Sequence, residues 1–219
     1  MARNSKPIIV IGLGRFGASV GRSLMRMGHE VLGIDLSPVL VQESASLFTH
    51  VVEADATDHA TLKRLGAGDC GSAVVGIGTD MEASLLATMA LSDLKVPNIW
   101  AKATSERHGR ILESVGAHHV VYPEARMGER VAHMVGGKMV DYIEFDDEFA
   151  IAYTRAPASC AGMTLDASAV RTRHGVTIVG IKRPRQDFTY ARPETVIENG
   201  DLVVVAGRID LVEKFAAVD

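Results

Sequence analysis

Residues 12 to 17 read Gly12-Leu13-Gly14-Arg15-Phe16-Gly17, directly after the apolar run Ile8-Ile9-Val10-Ile11. Their spacing suits a phosphate. Gly12 permits a tight turn, Gly14 lets the backbone approach an anion, and Gly17 lets the following helix pack close to the preceding strand. The free first-turn N–H groups of that helix, with the positive end of its dipole, then face the ligand. Asp35 closes the next apolar run about 20 residues on, where a carboxylate accepts ribose hydroxyls and repels a 2′-phosphate. Asp55, Ala56 and Thr57 follow the third run; Asp55 can accept from an adenine amino group, and Thr57 suits a helix cap as well. Gly78 and Thr79 follow the fourth run and Lys102 ends the fifth. All three rim the same crevice, or else Lys102 extends into water. Arg15 offers a guanidinium to an outer phosphate, although the helix dipole slightly disfavours it there, and Phe16 either covers the ligand or fills the core.

Alternating elements are needed to hold these residues. Short Val- and Ile-rich strands are expected at Pro7–Ile11, Glu30–Ile34, His50–Glu53, Ala73–Ile77, Asn98–Lys102 and His118–Val121. Helices fit between them at Arg15–Met27, Pro38–Ser46, Asp58–Leu65, Asp80–Leu94 and Ser105–Val115. Ser37, Thr57, Thr79 and Thr104 or Ser105 serve as caps, and Gly28, Gly66 and Gly116 as stops. The fold class is therefore α/β, a Rossmann-like doubly wound parallel sheet with ligand at the carboxyl ends of its strands. Pro123 opens a bridging helix to about residue 138, with Met127, Val131, Met134 and Val135 on one face. A small α+β lobe follows, with strands at Met139–Phe145, Phe149–Arg155, Thr177–Lys182 and Leu202–Ala206. Its turns are expected at 183–187 and 198–201, and its helices near Leu165–Arg173 and Ile209–Ala216. The domains are thus 1–136, bridging helix included, and 137–219. The second has a limited core that pairing with a copy of itself would support.

Composition excludes several classes. The 219 residues are 47% hydrophobic, ample for a buried core, and a net charge of −4 argues against a nucleic-acid partner. No run approaches the roughly 20 apolar residues of a membrane span, and Met1 to Lys6 lead into a strand without a signal-peptide core, so a cytosolic location is expected. Cys70 and Cys160 read as small buried apolar groups. None of the eight histidines has a spacing that couples it to a nucleophile or a three-ligand metal set; His29, His118, His119 and His133 read as surface or interface residues. With neither a nucleophile elbow nor a carboxylate pair, no catalytic residues are assigned and enzyme chemistry is not expected.

Five motifs spread over the first domain carry a family likeness. They are Ile11-Gly-Leu-Gly-Arg-Phe-Gly17, Met27-Gly-His-Glu-Val-Leu32 leading to Asp35, Glu53-Ala-Asp-Ala-Thr57, Asn98-Ile-Trp-Ala-Lys102 and Tyr122-Pro-Glu-Ala-Arg-Met-Gly128. The chain resembles the regulators of potassium conductance (RCK), the cytosolic regulatory subunits of Trk/Ktr-type bacterial potassium uptake systems, with TrkA-N and TrkA-C lobes. That resemblance implies ATP or ADP in the first domain and a divalent cation, Mg²⁺ or Ca²⁺, held beside triphosphate with the help of Glu124. It implies dimers assembled into an octameric ring, beneath a membrane-embedded potassium-translocating subunit at the inner face of the cell membrane. In the second lobe it implies cyclic di-AMP at Leu165, Arg171, Thr177 and Ile178, with threonine at 177 where such binders favour asparagine. Adenosine and ribose are held alike in ATP and NAD. An NAD(H)-binding redox sensor and an NAD-dependent oxidoreductase therefore stand as the alternatives.

Overall fold

The computed structural model describes residues 6–145, 148–183 and 185–218. Met1 to Ser5, and Pro184 within the expected turn at 183–187, lie outside these. The chain divides into two compact units between Glu124 and Ala125, whereas the sequence placed its boundary after residue 136.

In the first unit six parallel strands, β1 (Ile8–Ile11), β2 (Val31–Asp35), β3 (His50–Glu53), β4 (Ser72–Val75), β5 (Ile99–Lys102) and β6 (His119–Val121), form one sheet in the order β3-β2-β1-β4-β5-β6. Strand side chains alternate between faces, so neighbouring residues enter different cores. Ile9, Ile11, Ile34, Ala73 and Val75 pack with Leu62, Leu91 and Leu112. Those leucines come from α3 (His59–Arg64), α4 (Met81–Asp93) and α5 (Glu106–Ser114). Val10, Val31 and Val74 instead meet Phe48, together with Leu24 of α1 (Arg15–Arg26) and Leu40 of α2 (Pro38–Ser44). Each fully buried Leu or Ile contributes about 1.5–3 kcal/mol. Because β1 has β2 on one side and β4 on the other, the loops after β1 and β4 part toward opposite faces and open a crevice at the carboxyl edge.

Local chemistry moves several expected boundaries. Ser37 and Ser105 cap α2 and α5, but Asp58 and Asp80, rather than Thr57 and Thr79, cap α3 and α4. A carboxylate there accepts two amide protons at once, as Asp58 does from Ala60 and Thr61. Strand β4 ends at Val75, short of the expected Ile77, and the Gly76 N–H donates to the Ile11 carbonyl at 2.7 Å where the chain turns away.

The second unit begins in α6 (Pro123–Gly136). An antiparallel sheet follows in the order β10-β9-β11-β8-β7, built from β7 (Met139–Glu144), β8 (Phe149–Arg155), β9 (Thr177–Lys182), β10 (Phe188–Tyr190) and β11 (Leu202–Arg208). The expected single helix over 165–173 is two, α7 (Leu165–Ser168) and α8 (Val170–His174), separated by Ala169 in the left-handed region at φ 48°. The β10 edge strand was not expected from the sequence, since all three of its residues are exposed and no alternation marks it. Tyr142, Ala150, Ala152, Ile181, Val203 and Val205 form the core with Val212 and Phe215 of α9 (Ile209–Ala217). Cys70 and Cys160 are free and buried.

Candidate functional site

The glycine loop is held by its backbone. Gly12 sits at φ +84°, its N–H donating to the Ile34 carbonyl at 2.8 Å. A Cβ on Gly17 would lie 1.9 Å from the Gly12 carbonyl oxygen, so only glycine lets α1 start this close to the turn. Gly14 is different, because a Cβ there would meet none of the described residues within 4 Å. Among the described residues no side chain caps α1, and its first turn has no acidic residue, whereas α2 to α5 all carry side-chain caps. An uncapped amino terminus behind an open glycine is suited to a phosphate.

Asp35 links this loop to the second strand. Its Oδ2 accepts the Leu13 N–H at 2.6 Å and its Oδ1 accepts the Ser37 N–H at 2.8 Å. Each oxygen retains a second lone pair for a ribose hydroxyl. The sequence led to the expectation of a ribose role but gave no sign of this second one. Asp55 Oδ1 accepts both the backbone N–H and the hydroxyl of Thr57, at 2.9 and 2.7 Å, forming a local turn. The Ala56 side chain belongs to the core, which leaves its backbone for the crevice.

Lys102 is not a solvated lysine, its side chain being only 12% exposed. Its Nζ donates to Glu124 Oε1 at 2.6 Å, stands 5.9 Å from the centre of the Phe16 ring, and would be 2.9 Å from a Cβ placed on Gly78. The hydrogen bond from Lys102 holds the Glu124 carboxyl below the usual carboxylate range, and the positive charge of Arg15 adds to this. Since Glu124 is 66% exposed, the pair contributes at most about 1 kcal/mol and remains free to rearrange around a ligand. Phe16, Gly78, Lys102 and Glu124 thus converge on one rim, with Arg15 and Thr79 exposed at the surface.

Two histidines expected at the surface have defined partners, His118 Nδ1 accepting the Ile99 N–H at 3.0 Å and His133 Nδ1 lying 3.3 Å from Glu213. A third, His108, is fully buried and fastens the loop behind Lys102. Its sequence signal is position: it stands three residues after the cap Ser105, where a capping-box glutamate or glutamine usually sits.

In the second unit, Arg171 Nε and Nη2 donate to the Thr177 hydroxyl at 3.2 and 3.1 Å. Ile178 belongs to the core, and Leu165 packs against it from the edge. A cavity of about 470 Å³ opens at the other end of the parallel strands, lined by Pro7, Leu32, His50, Leu65 and Cys70 among others. Among the described residues no lysine or arginine lines it, and α3 ends there, so an anion is better placed at the glycine loop.

Comparison with known proteins bears on both units. Residues 8–123 match the TrkA-N domain and residues 151–218 the TrkA-C domain. The chain is 36% identical to the Ktr system potassium uptake protein C of Bacillus subtilis (strain 168) over 211 residues, 96% of each chain. Its fold is similar to the crystal structure of the GsuK RCK domain, with a TM-score of 0.68 and 21% identity, covering 99% of this chain and 48% of that one. It is similar also to the GsuK channel bound to NAD, with a TM-score of 0.66 and 21% identity, covering 100% of this chain and 39% of that one.

Proposed function

Because the chain belongs to the RCK family of potassium-transport regulators, built from a TrkA-N and a TrkA-C domain, we propose that it is a nucleotide-sensing regulatory subunit of a potassium uptake system. The observation that carries this reading is the uncapped α1 terminus behind the open face of Gly14, flanked by Asp35 and the Lys102–Glu124 rim. ATP or ADP takes the crevice. The α1 amides and Arg15 meet the phosphates, Asp35 the ribose and Asp55 the adenine, with Ala56, Thr57, Gly78 and Thr79 along the walls. ATP gates only to the extent that it binds one assembly shape better than the other, and contacts to its γ-phosphate are the source of that difference. The working unit is a homo-octameric ring of dimers on the cytoplasmic side of a membrane-embedded potassium-translocating subunit. Among the described residues no helix is long and apolar enough to cross a membrane. The site binds and senses; it does no chemistry on its ligand.

Glu124 is a single carboxylate, and among the described residues no three His, Cys, Asp or Glu converge into a metal site. Mg²⁺ or Ca²⁺ therefore fits here only when phosphate oxygens and water complete its shell. In the second lobe, Arg171 is held beside Thr177, with Leu165 and Ile178 next to them as the residues for cyclic di-AMP between two copies. A second reading, NAD or NADH as the sensed ligand, is favoured by Asp35, which suits either adenosine, and by the NAD-bound state of the similar GsuK channel. Calorimetric titration with ATP, ADP, NAD and NADH decides. Tighter binding of ATP and ADP supports the first reading, and NADH alone the second.

Two variants test the outer phosphates. Arg15→Ala is expected to weaken ATP by about five- to tenfold and ADP much less, because one charge-assisted contact disappears only in the triphosphate complex. Equal losses would place Arg15 at the inner phosphates or away from the ligand. Glu124→Gln keeps the shape of the side chain but removes the charge a hard cation requires. In that variant Mg²⁺ or Ca²⁺ should add less to the thermal stability of the ATP complex; an increment equal to wild type removes the metal role.

A further inference from the structure

Ala103, Thr104 and Ser105 carry the chain from Lys102 at the end of β5 into α5, and His108 holds this loop from the inside. The Thr104 N–H donates to His108 Nδ1 at 3.3 Å, the Thr104 hydroxyl lies 3.3 Å from the same atom, and the His108 N–H donates to Ser105 Oγ at 3.2 Å. A nitrogen that accepts from a backbone amide cannot carry a proton, so the neutral ring is protonated at Nε2, which is buried without a hydrogen-bond partner among the described residues. Burial holds the ring below the ordinary histidine range. The main elements packed on α5 are α4 and β6, and Tyr122, just after β6, lies against Gly109. The titratable groups Glu82, Asp93 and His119 are exposed, as are Glu106, Arg107, Arg110 and Glu113 on α5 itself, and neither they nor Tyr122 shifts His108.

We infer that neutral His108 is the positioning residue for the Lys102 side of the crevice, and that a proton taken from solvent onto Nδ1 unlatches the β5–α5 loop and weakens nucleotide binding. The second half rests on the nucleotide reading above. Protonation turns the acceptor into a donor facing the Thr104 N–H, so the loop must move or the proton must leave. The sign follows from the lowered pKa. The latch is complete at and above the unfolded value of about 6.5, and is lost as pH falls toward the lower folded value.

Two readouts in the full-length protein test this, hydrogen-exchange protection of the Thr104 amide and ADP affinity by calorimetry, each followed from neutral pH into acid. Wild type should lose both together by about five- to tenfold, the worth of one hydrogen bond. His108→Asn places an amide oxygen near the position of Nδ1 and cannot titrate, so both readouts should stay near their neutral values. His108→Leu fills the space without accepting and should be weak throughout. A pH-independent Thr104 amide in wild type, or an acid response in His108→Asn equal to wild type, overturns the proposal. Should His108→Asn not fold, the wild-type pH series decides alone. If wild type binds no ADP at neutral pH, the nucleotide reading falls, and the Thr104 exchange series still decides whether His108 latches the loop.

Discussion

Gly14→Ala is expected to leave the protein folded and to weaken ATP and ADP by at least about 100-fold, whereas Gly17→Ala should damage the fold itself. The two glycines stand three residues apart in one motif but face different surroundings. At Gly14 the backbone lies at φ −63° and ψ −172°, open to any residue, and a new Cβ meets no atom of the described residues within 4 Å. Restricting the unfolded chain favours alanine there, while the loss of a glycine N-cap opposes it, so stability should stay within about 1 kcal/mol of wild type. The methyl group would then occupy the space a phosphate needs. At Gly17 the Cβ would come within 1.9 Å of the Gly12 carbonyl oxygen, a backbone atom that cannot swing aside. Separating α1 from the turn should cost about 1–3 kcal/mol or more. Denaturant unfolding and nucleotide titration of both variants check this, and wild-type nucleotide affinity in Gly14→Ala would remove the phosphate from the glycine loop.

Asp35→Ala should lose stability and affinity together. A carboxylate that only served a ribose would change binding and leave the unfolding midpoint alone. Asp35 also accepts the Leu13 and Ser37 N–H groups, and charge-assisted bonds of this kind are worth about 1.5–3 kcal/mol each. Partial exposure reduces that sum, giving an expected loss of about 2–4 kcal/mol in unfolding free energy. Nucleotide affinity should fall by about 100-fold, since the ribose loses its acceptors and the glycine loop its tether. Asp35→Asn should fall between, because its amide oxygen can satisfy one N–H while its NH₂ faces the other. An unchanged midpoint in Asp35→Ala would show that the loop does not depend on this tether, and unchanged affinity would move the ribose elsewhere.

The architecture of the first unit was readable along the chain, because the physics involved is local. Strand alternation sorts Ile9 and Ile11 from Val10, glycines stand where the chain turns, and Ser37 and Ser105 accept amides within three residues of themselves. The crevice was legible for the same reason, its groups lying at strand ends that a doubly wound order must bring to one edge. Where local signals were weak the reading failed. Ala169 gives no sign that it will adopt a left-handed conformation and split a helix, and β10 has no buried alternate residue to reveal it. Pairings and protonation states, by contrast, arise only once the chain has folded. Asp35 meets Leu13 and Lys102 meets Glu124 across 22 residues in each case, contacts that arise from the strand order and not from any spacing along the chain. His108 looks like one more polar residue near a helix start. Its neutral form is set by the low dielectric of a site closed off by other elements, and burial is a property of the folded chain alone.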